Sequence, residues 1–139
     1  MGKVLTTITV INNQDITRAE VNAIQAASIR ETIIENVIVD TGATTLCLPK
    51  KYIEHLGLPL SREVVVSTPT GEYVTKMYNN ALLKIEGREA LVEIIELHDD
   101  ARPLLGVIPM EILGLEVDVI KHELRLSPDH TKDTYLMVY

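Results

Sequence analysis

Asn36-Val37-Ile38-Val39-Asp40-Thr41-Gly42-Ala43-Thr44-Thr45-Leu46-Cys47-Leu48-Pro49 is the stretch on which the reading of the chain turns. Its β-branched run predicts an apolar strand that delivers one carboxylate, Asp40, to the tip of a tight turn. A carboxylate set beside an apolar strand must be hydrogen-bonded, paired or neutralised. Gly42 lets the backbone bend or approach another chain closely, and Thr41 adds a hydroxyl that can tie the turn to a neighbouring backbone group. Asp-Thr-Gly alone is a common turn sequence, so the stretch gains meaning from its surroundings.

Working outward, Val4 to Ile11 alternates and predicts a strand with both faces partly covered, ended by Asn12-Asn13-Gln14-Asp15. Thr17 to Arg30 is ambiguous: Ala19, Ala23, Ala26, Ala27 and Arg30 suit a helix, whereas a family resemblance carried by motifs further along the chain implies extended structure, so a strand is favoured from about Ser28 onward and the earlier part of residues 17–28 stays open. Pro49 in a first helical turn and Gly57 at a helix stop predict a short helix. Val64-Val65-Val66 and Tyr73-Val74-Thr75 flank a turn at Pro69-Thr70-Gly71 and predict a hairpin. A second hairpin follows, Ala81 to Ile85 with Ala90 to Leu97 around Glu86-Gly87-Arg88, with Glu93 and Glu96 facing solvent. After the polar loop His98 to Pro103 come Leu104-Leu105-Gly106 and a second short helix with Pro109 at its start and Gly114 at its end. A last hairpin joins Val117 to Ile120 with Leu124 to Leu126, and Tyr135 to Tyr139 is an apolar end. The stretches Asp40 to Gly57 and Leu104 to Gly114 share a pattern of apolar strand, glycine turn and short helix, a rough internal repeat whose second half lacks the aspartate.

Two motifs in this order, Asp40-Thr41-Gly42-Ala43 behind an apolar strand and Leu104-Leu105-Gly106 downstream, resemble the retropepsin-like aspartic proteases, in a cellular or bacterial form. The resemblance covers roughly residues 33 to 126. It implies an all-β fold, an acid-protease closed β-barrel with two or three short helices. It further implies that Asp40 is catalytic and that Thr41, Gly42 and Ala43 complete the active-site loop. Thr44, Thr45, Cys47 and Leu104 would contact substrate, and Pro69, Thr70 and Gly71 would form a flap tip closing over bound peptide. One chain supplies one such aspartate, so the implied enzyme is a homodimer with Asp40 facing Asp40 across a two-fold axis. The implied reaction is peptide-bond hydrolysis by a water-activating aspartate dyad. The same fold could instead serve as a non-cleaving dimeric peptide-binding or dimerisation module. Viral members carry an acidic residue after the alanine and an arginine after the second glycine. Here those positions are Thr44 and Val107, so the dimer must be stabilised differently.

Composition narrows the alternatives. The chain has 139 residues, 46% hydrophobic and 24% charged, which predicts one globular domain over residues 1–139. Phe and Trp are absent, so Ile, Leu, Val and Met must build the core. A net charge of -7 with no basic stripe argues against nucleic acid as a partner. The one cysteine, Cys47, cannot form an internal disulfide, and no apolar run has the length of a signal peptide or membrane span. The expectation is a soluble, cytoplasmic protein without membrane association. The four histidines show no zinc-site spacing, and no phosphate loop or serine elbow occurs, so neither metal nor cofactor is expected.

Overall fold

A computed structural model describes residues 3–127. In chain order it contains β1 (Leu5–Asn12), α1 (Asn13–Glu20), β2 (Glu31–Val39), β3 (Leu46–Pro49) and α2 (Lys50–Leu56). Then come β4 (Leu60–Thr68), β5 (Gly71–Ile85), β6 (Arg88–Leu97), β7 (Leu104–Leu105), α3 (Val107–Leu113), β8 (Leu115–Asp118) and β9 (Glu123–Leu126). The main sheet runs β1-β2-β7-β3-β6-β5-β4, and β1 also pairs with β5. Six strands therefore close on themselves, and β4 hangs from β5 as the outer arm of a long hairpin. This is the all-β architecture expected, with three short α-helices.

The circuit closes because inward positions are apolar on every strand. Ile8 and Val10 of β1, Ile34 and Val37 of β2, Leu46 and Leu48 of β3, Leu83 of β5 and Ile94 of β6 are buried together, joined by Leu105. Aliphatic side chains fill this interior without Phe or Trp. The decisive short element is β7. Its two residues lie parallel to β2 (Ile38↔Leu104, Val39↔Leu105) and antiparallel to β3 (Leu46↔Leu105, Cys47↔Leu104). The second sequence motif is thus wedged between the two strands that carry the first.

The segment left open by the sequence is a helix, then a 3₁₀ turn at Ala26–Ser28. β2 starts at Glu31 rather than near Ser28. Asn12-Asn13-Gln14-Asp15 does end β1, yet it also starts α1: Asn12 is the N-cap, its Oδ1 accepting the Asp15 N–H at 3.0 Å. The Asn12 side-chain amide donates to Leu56 O at 2.8 Å, tying the cap to the end of α2.

Asp15 then does a second job. Its side chain is only 3% exposed and accepts Arg30 Nε at 2.8 Å, Arg30 Nη2 at 3.0 Å and the Arg30 backbone N–H at 3.0 Å. This forked pair holds the chain entering β2 against α1. The hydrogen bonds from Arg30 outweigh burial and lower the Asp15 carboxyl from 3.8 to about 2. Because the folded value is depressed, the stabilisation is full above the unfolded value of 3.8 and is lost as pH falls through about 2. Asp15→Asn is therefore expected to cost about 2 kcal/mol at neutral pH, a difference from wild type that closes on acidification from about pH 5 to 2. Urea titrations of both proteins across that range check it.

Local signals place the remaining turns. Pro49 precedes α2 as its N-cap residue instead of sitting in its first turn. Gly106 is the N-cap residue of α3, and Pro109 lies within that helix. Glu86 and Gly87, at φ 53° and 75°, form the two-residue connection of the β5–β6 hairpin. Two expectations need correction. Glu93 is exposed and pairs with Arg62 at 3.3 Å, but Glu96 is half-buried and accepts the Tyr78 hydroxyl at 2.8 Å. Ile120 lies in the β8–β9 turn, not in a strand, because Asp118 Oδ1 captures the N–H groups of Ile120 and Lys121, each at 3.0 Å. The segment 135–139 and the polar link before it lie outside the described residues.

Candidate active site

The Asp40 loop hangs between β2 and β3 and is held from three sides. From below, the Asp40 N–H donates to Leu105 O at 2.9 Å, extending the β2–β7 ladder by one step. Within the loop, the Ala43 N–H donates to Asp40 O at 3.0 Å and the Gly42 N–H to Asp40 Oδ1 at 2.9 Å. From α3, the N–H groups of Val107 and Ile108 donate to Ala43 O and Thr44 O, both at 2.9 Å. The free amides of a helix start thus meet the loop's carbonyls, which satisfies both. Thr45 is buried and donates its hydroxyl to Glu93 O at 2.7 Å, fixing the exit of the loop to β6.

Gly106 explains why the second motif ends in glycine. A Cβ there would collide with the Thr45 carbonyl oxygen and lie 2.6 Å from both Ala43 O and Thr45 N. All three are backbone atoms of the Asp40 loop, so the two motifs touch where only hydrogen fits.

Above the loop lies a cleft of about 580 Å³. Asp40, Gly42, Ala43, Thr44 and Cys47 form its floor, with Leu104 beside them. The β4–β5 hairpin contributes Val66, Thr68, Pro69 and Tyr73 from above, and β6 closes the side with Ile95 and Leu97. Of the residues singled out by sequence, Thr44, Cys47, Pro69 and Leu104 therefore share one cavity with Asp40. Thr45 lies beneath the loop and supports it. Thr70 and Gly71 stand at the exposed hairpin tip, where the Thr68 hydroxyl donates to Gly71 O at 2.8 Å. Thr41 is exposed at the loop's apex. Val66, Tyr73, Ile95 and Leu97 were missed, although the period-two alternation of their strands was visible; their approach to Asp40 depends on pairings such as Leu46↔Ile94 and Val66↔Tyr73.

Cys47 is buried in the lining of the cleft. Burial, and secondarily the Asp40 charge, push its thiol up to about 11, so at neutral pH it remains a thiol and offers no thiolate nucleophile. Asp40 is the acidic residue among those lining the cleft. Among the described residues no helix is long and apolar enough to cross a membrane.

A model of the aspartyl protease family matches residues 26–117, a span that includes both motifs, the hairpin and α3. The chain is also 36% identical over 69 residues to the "Enzymatic polyprotein" of Soybean chlorotic mottle virus. That match covers 48% of this chain and 10% of the polyprotein, so the chain spans a small fraction of this relative. The pairing of β7 between β2 and β3, the steric lock at Gly106 and the match over residues 26–117 agree: the chain belongs to the aspartyl proteases, in their retropepsin-like family.

Proposed function

We propose that residues 1–139 form a single aspartic endopeptidase domain that acts as a homodimer, with Asp40 of each copy supplying one half of a water-activating dyad. The observation that carries this reading is the placement of Asp40 on the floor of a cleft, its Oδ1 fixed by the Gly42 N–H and its backbone by Leu105. One such loop supplies one carboxylate, and peptide hydrolysis by this chemistry takes two. Two carboxylates facing each other across a two-fold axis share one proton, because like charges at close range disfavour double ionisation.

The reaction follows from that sharing. The ionised carboxylate takes a proton from water while the water oxygen bonds to the scissile carbonyl carbon. The protonated carboxyl gives its proton to the carbonyl oxygen, forming a tetrahedral diol. A proton then passes to the amide nitrogen, the C–N bond breaks, and acid and amine products leave. The peptide lies extended between the loop and the β4–β5 hairpin, where backbone groups hold it and side chains enter the apolar walls. Cys47, Leu104 and Ile95 line those walls, and Pro69, Thr70 and Gly71 close over them from the hairpin tip.

A second copy also suits the exposed surface. β9 packs beside β1, and Leu5 and Leu126 on those strands stay 41% and 44% exposed. Covering them would remove apolar area from water, in place of the acid–arginine pair absent at Thr44 and Val107. A cytoplasmic setting accords with a lone buried cysteine.

Cleavage of a peptide library between about pH 4 and 7 should be blocked by an inhibitor that mimics the tetrahedral diol. Specific activity should fall on dilution, in step with dissociation of the dimer seen by sedimentation. Constant specific activity in a monomeric sample would defeat the homodimer.

A further inference from the structure

We infer that substrate is gripped beyond the Asp40 cleft, by a second apolar groove between β6 and α3 that selects apolar side chains distant from the scissile bond. The inference rests on the peptidase reading above and adds a specificity surface to it. The groove also measures about 580 Å³, and it shares two walls with the cleft, Thr44 and Ile95.

Continuity comes from the pleat of β6. Alternate residues of a strand share a face, so Leu91, Glu93, Ile95 and Leu97 form one strip. Ile95 and Leu97 line the cleft, whereas Leu91, Glu93 and Ile95 line the groove. The strip is about 20 Å long at the usual strand rise, so one extended polypeptide could follow it. Across the sheet, Met77 pairs with both Ile95 and Arg62, bringing the three strands' side chains to the same floor. The opposite wall is α3, where Ile108 and Ile112, four residues apart, present one helical face.

The chemistry of the walls selects the occupant. Leu91 is 57% exposed and Ile108 44%, apolar area on two walls of one groove that a bound side chain would cover. Arg62 and Glu93 pair with each other at 3.3 Å, which leaves the groove without a charge seeking a partner. A chain leaving the cleft past Thr44 would therefore meet Met77, Leu91, Ile95, Ile108 and Ile112 as apolar walls, with Asn79, Asn80 and the mutually paired Arg62 and Glu93 at their side. In a two-fold dimer one groove lies toward each end of the substrate.

The test uses random peptides of roughly 16 residues, able to span about 50 Å. They are captured on the full-length Asp40→Asn protein, which keeps the cleft shape but is built not to cleave, and are identified by mass spectrometry. Two blocks of apolar preference are expected, one central and one flanking, with the flanking enrichment about tenfold or more. Leu91→Glu in the same background should abolish the flanking block and retain the central one, which also reports that the variant is folded. A single central block, a flanking block that survives Leu91→Glu, or a change only in the monomer–dimer balance would overturn the inference. Cleavage of the same library by the wild-type protein tests the peptidase reading separately. Wild-type cleavage without flanking preference refutes the groove alone, and flanking capture without cleavage refutes the peptidase reading alone.

Discussion

Asp40→Asn should reduce peptide cleavage by about 10³-fold or more while leaving the protein folded. The substitution is nearly isosteric, and the amide oxygen of asparagine can still accept the Gly42 N–H that now meets Asp40 Oδ1 at 2.9 Å. The loop is further held by backbone groups, through Leu105 O, Val107 N–H and Ile108 N–H, none of which the change removes. What disappears is the capacity to accept and return a proton at neutral or mildly acidic pH. In a homodimer the loss strikes both halves of the dyad together, and no second acid on the cleft floor replaces it, since Asp40 is the acidic residue among the cleft's lining residues. Measured as kcat/KM on a library-derived peptide, with thermal unfolding as the folding control, retained activity in a folded variant would remove Asp40 from the mechanism. Retained peptide binding with lost cleavage is the expected pair of results.

Gly106→Ala should cost about 3 kcal/mol or more of stability and take activity with it. The reason is position and not backbone angle. Gly106 has φ −92° and ψ −176°, ordinary extended geometry open to alanine. Its missing Cβ, however, would sit among Thr45 O, Ala43 O and Thr45 N, atoms that cannot rotate away. Relief requires moving the Asp40 loop off β7, which would stretch the bonds from Val107 and Ile108 and withdraw the carboxylate from the cleft. Gly87 supplies the contrast: it lies at φ 75° with open space around its Cβ direction. Gly87→Ala should cost only the left-handed penalty of about 1–2 kcal/mol and leave cleavage per folded molecule intact. Urea unfolding of the two variants separates the steric cause from the conformational one. Equal, small losses would show that the contact between the two motifs is looser than its geometry.

Much of this molecule is determined by short-range sequence chemistry. Alternation marks β1, Glu86-Gly87 turns β5 into β6, Pro69 lies at the hairpin turn, and glycines follow α2 and α3. Asp40-Thr41-Gly42 and Leu104-Leu105-Gly106 were legible too, as motifs, because each needs particular residues at adjacent positions. Other features depended on partners far along the chain. Asn12 is legible as a strand end but serves as a helix cap because Leu56 O waits for its amide. Arg88, which by charge belongs outside, is buried because its guanidinium donates to Leu113 O at 2.9 Å at the end of α3. Glu96 leaves solvent because Tyr78 reaches it across the sheet. The walls of the cleft and the groove belong to this second class. Val66, Leu91, Ile95 and Ile108 are unremarkable aliphatic residues in sequence, and the parallel pairings of β3 with β6 and of β2 with β7, together with the antiparallel β4–β5–β6 ladder, bring them around Asp40 and Thr44. Local propensity acts over a few residues, whereas parallel pairing joins segments separated by whole connections, so the tertiary fold alone decides which side chains meet.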